Sequence, residues 1–120
     1  MNIQWLLGAL ILACVLAGAH MYALAEYLYW HYPWFDIPMH ILGGIVIAVF
    51  SVGLLKKYNP YGFLGIISVA FIGWEIFEFL FHISTGQPDY IFDTLHDVVN
   101  NFIGAGIIYL LAKKTLWHSV

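Results

Sequence analysis

Four apolar stretches, each near the length of a bilayer crossing, fill most of this 120-residue chain. Ile3 to Ala25 is apolar apart from Gln4 and His20; Pro38 to Leu55, Gly62 to Phe81 and Val98 to Ala112 are the others. A helix of about 20 residues crosses roughly 30 Å of hydrocarbon. The fourth stretch is short of that unless its polar approach, Asp93 to Asp97, lies inside protein. These runs predict an all-α, polytopic membrane protein of one domain, with four transmembrane helices over about 3–30, 36–56, 61–83 and 93–114. A 62% hydrophobic content, 9% charged residues and a mean hydropathy of +0.85 exclude a soluble globule.

The charges are sorted to opposite ends of these helices. The lysines form two pairs, Lys56-Lys57 and Lys113-Lys114, at the ends of the second and fourth helices, and the chain has no arginine. Lysines mark the cytoplasmic side, so both termini are expected inside. All seven acids, Glu26, Asp36, Glu75, Glu78, Asp89, Asp93 and Asp97, then fall in or above the outer leaflet with five of the six histidines. Tyr27, Tyr29, Trp30, Tyr32, Trp34 and Tyr90 outside, with Trp5, Tyr58, Tyr61 and Trp117 inside, make the expected interfacial belts. A competing reading makes the first stretch a signal peptide cut after Ala25. Against it, Met1 to Trp5 has no basic residue. The single Cys14 excludes an intrachain disulfide, and there is no basic footprint for nucleic acid. Pro33, Asn59-Pro60 and Gly86-Gln87-Pro88-Asp89 punctuate the turns. Ala9, Ala13 and Ala17 allow close approach of another helix.

Each of the last three helices carries a polar stripe at its outer end. Asp36 and His40 are four apart, continued by Gly43 and Gly44. Glu75, Glu78 and His82 follow a three-and-four spacing. So do Asp93, His96, Asp97, Asn100, Asn101 and Gly104. With level helix ends, a rise of ~1.5 Å per residue puts His40, Glu78 and Asp97 in one layer. Asp36, His82 and Asp93 form the rim above it, and Glu75 and Asn101 lie deeper.

Ordinary roles compete for several of these residues. Asp36 and Asp93 suit helix caps, His82 suits an interfacial flank, and Asn100 and Asn101 suit interhelical hydrogen bonds. His20 and Glu26 read as rim or packing groups, His31 and His118 as solvated flanks. Glu75 and Glu78 resist such readings. A carboxylate in mid-helix costs about 2.5–3.5 kcal/mol on insertion scales, these two repel, and no basic residue is near. The cluster needs protons or a cation. Mixed carboxylate and imidazole donors suit a divalent transition metal, zinc, manganese or iron, better than calcium or magnesium. The expected ligands are Asp36, His40, Glu78, Asp93 and Asp97, with His82, His96 and Asn101 as further candidates and Glu75 as general acid or base.

At these residues the chain resembles the VanZ-like integral membrane proteins and, more closely, the YjdF-type inner-membrane proteins. Asp36-Ile37-Pro38-Met39-His40 followed by Gly43-Gly44 is similar to the family's D-x-x-x-H block. Trp74-Glu75-Ile76-Phe77-Glu78-Phe79 is similar to the E-x-x-E block of the YjdF type. Asp93-Thr94-Leu95-His96-Asp97 resembles its D-T-x-x-D block, and Asp97 to Gly104 the VanZ D-V-x-x-N-x-x-G block. His96 lies outside the pattern. VanZ is associated with glycopeptide resistance, so the resemblance implies the prokaryotic cell membrane and supports the site residues without supplying a reaction.

Three functions are compatible with this pattern. One is a metal-dependent hydrolase or transferase acting on a membrane lipid or lipid-linked envelope precursor. Another is a structural or assembly subunit of a larger membrane complex or homo-oligomer. The third is a proton or cation carrier, for which Ser51 and Ser68 would extend the stripes inward.

Overall fold

The computed structural model describes residues 1–82 and 89–117. The expected turn at Gly86-Gln87-Pro88 and the flank at His118 lie outside the described residues, and the third long helix ends at Leu80 rather than 83. The elements are α1 (Ile3–Ala25), a short α2 (Leu28–His31), a 3-10 turn (Pro33–Phe35), α3 (Asp36–Leu54), α4 (Pro60–Leu80) and α5 (Tyr90–Thr115). Four helical segments are long and apolar enough to cross a membrane, the 3-10 turn running directly into α3. The molecule is 47 Å long and 26 by 21 Å across, matching the roughly 40–45 Å of a bilayer with its headgroups.

The first helix is not continuous over 3–30. It ends at Ala25, and Tyr27 takes a left-handed conformation with φ 56°. Such a backbone is costly for a bulky residue. The restarted turn offsets it: the Tyr27 carbonyl accepts from the Trp30 and His31 amides at 3.1 and 3.0 Å. Tyr29 is thereby turned back, its hydroxyl 2.8 Å from His20 Nδ1 and its ring edge-on to Phe35. The second helix ends at Leu54 rather than 56. The third starts at Pro60, where Asn59 Oδ1 caps the Gly62 amide at 2.9 Å. The fourth starts a turn early, at Tyr90, and runs to Thr115.

Helix α3 is the central member. Its antiparallel neighbour α1 touches it closely at Gly53, where a side chain would strike Leu6, and the Asn2 amide donates to the Gly53 carbonyl at 2.7 Å. Ala9 is buried in the core, Ala13 partly so, and Ala17 is exposed. Helix α5 runs parallel to α3 and crosses it at two glycines. A methyl group on Gly44 would overlap the Asn101 carbonyl, and one on Gly104 the Ile41 carbonyl. Only glycine permits that approach of two backbones. Below the crossing, Ala48, Val49 and Val52 pack with Ala105, Ile108 and Ala112. Helix α4 joins through Phe63, Ile67 and Phe71, one every four residues. At the lysine end Tyr58, Phe63, Tyr109 and Trp117 form an aromatic layer, with the Tyr58 and Tyr109 hydroxyls 2.6 Å apart. The outward faces stay apolar, as lipid-facing surface does.

Candidate functional site

The glycine crossing positions the polar groups. His40 stands one turn above Gly44, and Asp97 and Asn101 stand two turns and one turn above Gly104. Bringing the glycines together therefore brings His40 against α5. His40 Nε2 lies 3.4 Å from Asp36 Oδ1 and 3.3 Å from Asp97 Oδ1. On the other side of the ring, His40 Nδ1 lies 3.3 Å from Asn101 Oδ1. With the Asn101 amide placed carbonyl-first, the ring donates from Nδ1, and Nε2 faces the two aspartates. Asp97 Oδ1 is buried without a hydrogen-bond partner, so its 3.3 Å approach to Nε2 lacks the angle of a hydrogen bond. Two charge states satisfy this geometry: an imidazolium between two carboxylates, or a neutral imidazole sharing a cation with them.

Among the described residues, Asp36, His40 and Asp97 alone offer ligand atoms mutually within 4.8 Å. In a tetrahedral site with bonds of about 2.0–2.2 Å, ligand atoms sit roughly 3.3–3.6 Å apart. The two contacts to Nε2 already have that length. Asn101 stands where an imidazole ligand's other nitrogen finds its orienting acceptor.

The remaining expected residues do not join this trio. Glu75 continues the buried stripe Phe63-Ile67-Phe71 and is 8% exposed, with both carboxylate oxygens buried and unpartnered. Glu78 and Asp93 are half-buried. Glu75, Glu78 and Asp93 lie within electrostatic range of one another and of His40. Neither expected aspartate cap exists. Phe35 occupies the cap position of α3 and Asp89 that of α5, neither with a side-chain bond, while Asp36 and Asp93 sit in first turns. Asp36 is drawn to His40 instead. His96 is exposed, takes a hydrogen bond from Asn100 Nδ2 at 3.2 Å and stacks on Phe92. His82 is exposed just past α4 with φ 56°. Neither joins the trio's group of ligand atoms, nor do exposed Glu26 and His31, although His96 lies within electrostatic range of Asp36.

One neighbour escaped the sequence reading. Tyr29 reads as belt tyrosine, yet burial and then the charge of Asp36 raise its hydroxyl above the usual phenol range. The left-handed Tyr27 brings it there, and no glycine or proline announces that break. Ser51 donates to its own helix at Ile47 O, 2.7 Å away, and so extends no polar path inward.

Comparison with curated proteins and with solved structures finds no match. The family model described as "Predicted membrane protein (DUF2238)" matches residues 2–118. With nearly the whole chain covered and four helices of membrane-crossing length, the protein belongs to the DUF2238 family of predicted membrane proteins.

Proposed function

We propose that Asp36, His40 and Asp97 hold one divalent transition metal ion, and that the ion serves a hydrolase or transferase acting on a membrane lipid or lipid-linked envelope precursor. The observation that carries the reading is the pair of Nε2–carboxylate distances, 3.4 and 3.3 Å, around a buried carboxylate oxygen with no hydrogen-bond partner. A cation at that point satisfies all three groups at once. The resemblance to VanZ-like and YjdF-type proteins supports the same residues, since Asp36, His40 and Asp97 fall in its blocks. The lysine pairs support an N-in, C-in orientation, which turns the site toward the extracytoplasmic leaflet.

When bound, the ion supplies Lewis acidity to a phosphoryl or carbonyl oxygen. The protein supplies the rest. Asn101 orients the imidazole. Glu75, buried beside the trio with free lone pairs, accepts a proton from an attacking hydroxyl or water and returns it to the leaving group. Glu78 and Asp93 guard the outer approach. The test is metal-dependent turnover of labelled envelope lipids in reconstituted vesicles. Glu75→Gln should abolish turnover while leaving metal content intact; unchanged turnover would reject the enzymatic reading.

A structural reading has its own support. The trio bridges α3 and α5, so an ion there also fastens those helices together. In that case chelation lowers the unfolding temperature, and Glu75→Gln changes nothing else.

A further inference from the structure

The seam between α4 and α5 is open beside the site. A groove of about 380 Å³ is lined by Ile72, Ile76 and Phe79 of α4 and by Tyr90, Thr94 and Val98 of α5, with Glu75 at its floor. Both walls belong to membrane-crossing segments. Ile72, Ile76 and Phe79 are each more than half exposed, so the groove faces lipid. From Ile72 to Phe79 it extends about 10 Å along the helix, most of the depth of one leaflet's roughly 15 Å of hydrocarbon.

The wall of the groove is apolar, and acids stand beside its outer end. Glu78 and Asp93 adjoin the lining residues Phe79 and Thr94 in the chain and lie within electrostatic range of Glu75. Glu75 is more than nine-tenths buried, yet both its oxygens lack partners. The basic residues, Lys56, Lys57, Lys113 and Lys114, all lie at the other end of the bundle. Even with a divalent ion on the trio, the five carboxylates of this region keep a formal negative excess. An occupant that suits both the apolar wall and the adjoining acids combines a hydrocarbon chain with a positively charged head.

We infer that the α4–α5 groove seats one chain of an outer-leaflet lipid bearing a primary ammonium head group, with the ammonium between Glu78 and Asp93. The inference rests on the proposed function in taking that lipid as the substrate; the binding itself needs only the groove and the acids. The chain fixes the lipid's depth. The head then lies beside His40 and Asp97, and lipids with anionic heads are turned away by the same carboxylates that attract the ammonium.

The test is native mass spectrometry of the detergent-released protein offered equal phosphatidylethanolamine and phosphatidylglycerol with identical chains. The wild type should retain the ethanolamine lipid about fivefold or more over the glycerol lipid, a preference that high salt reduces. Glu78→Gln with Asp93→Asn should bring the two lipids near parity without abolishing retention. Ile76→Trp, at a lipid-exposed position, should fill the groove and lose both lipids, with helicity by circular dichroism and metal content unchanged. Equal retention of the two lipids by the wild type would overturn the inference, and this needs no variant to fold. So would full retention by a folded Ile76→Trp protein. Loss of metal binding with the lipid preference intact would reject the metal reading alone.

Discussion

At the residue scale, the site depends on which nitrogen of His40 faces the aspartates. Asn101 Oδ1 takes the Nδ1 proton and leaves Nε2 to the acids. Removing such an orienting group typically costs about 10–100-fold in metal affinity. Asn101→Ala should therefore lower affinity by that order in calorimetric titration, whereas Asp89→Asn at the helix cap should leave it unchanged. Equal effects would place the ion elsewhere. Proton competition gives a second expectation. Imidazole and carboxylates bind the ion deprotonated, so binding releases protons, and affinity falls as pH falls and rises as it rises. Titration at two pH values in buffers of different ionisation enthalpy measures both the affinity and the released protons; affinity independent of pH would contradict ligation by His40. The pairing of Asp36 with His40 was legible, because residues four apart share a helix face. The division among the acids was not. Spacing shows that a carboxylate points inward, but only the crossing of α3 and α5 decides that Asp97 meets His40 while Glu78 and Asp93 stay half-buried around it.

At the scale of elements, the two glycine contacts between α3 and α5 govern the site. A methyl group at Gly104 overlaps the Ile41 carbonyl, which is backbone and cannot rotate away. Overpacking of this kind costs about 1–3 kcal/mol. Gly104→Ala should lower the thermal midpoint in detergent and separate His40 from Asp97, weakening metal binding as well. Gly18→Ala, with nothing within 4 Å of the added methyl, is the control: helix propensity alone favours it by up to about 1 kcal/mol. Equal melting of the two variants would show that the crossing is not tight. The glycines were visible in the sequence as members of polar stripes, but a stripe does not say that two backbones touch. The break at Tyr27 was less visible still. Apolar and aromatic residues run on through it, and the contacts of Tyr29 with His20 and Phe35 that accompany the turn are tertiary. The start of α4 was legible to within one residue, because the Asn59-Pro60 break is local chemistry; the Asn59 cap was not read.

At the scale of the molecule, the sorting of charge organises everything else. Hydrocarbon admits only helices here, the lysine pairs close one end, and the acids gather at the other. A reporter active only in the cytoplasm, fused after Thr115, should be active, and one active only outside should be silent; the reverse would place the site in the inner leaflet. The fold class was readable from four apolar runs alone, since the bilayer leaves few alternatives. The centrality of α3 was not, because all four runs are similarly apolar and only packing distinguishes them. On the function proposed above, the acid end holds an ion on Asp36, His40 and Asp97. Elemental analysis of detergent-purified protein, beside its Asp97→Asn variant, tests it most directly. Close to one equivalent of zinc, manganese or iron per wild-type chain is expected, and near none in the variant. A wild type free of metal even after titration with each of these ions, yet folded and as thermally stable as before, would contradict it.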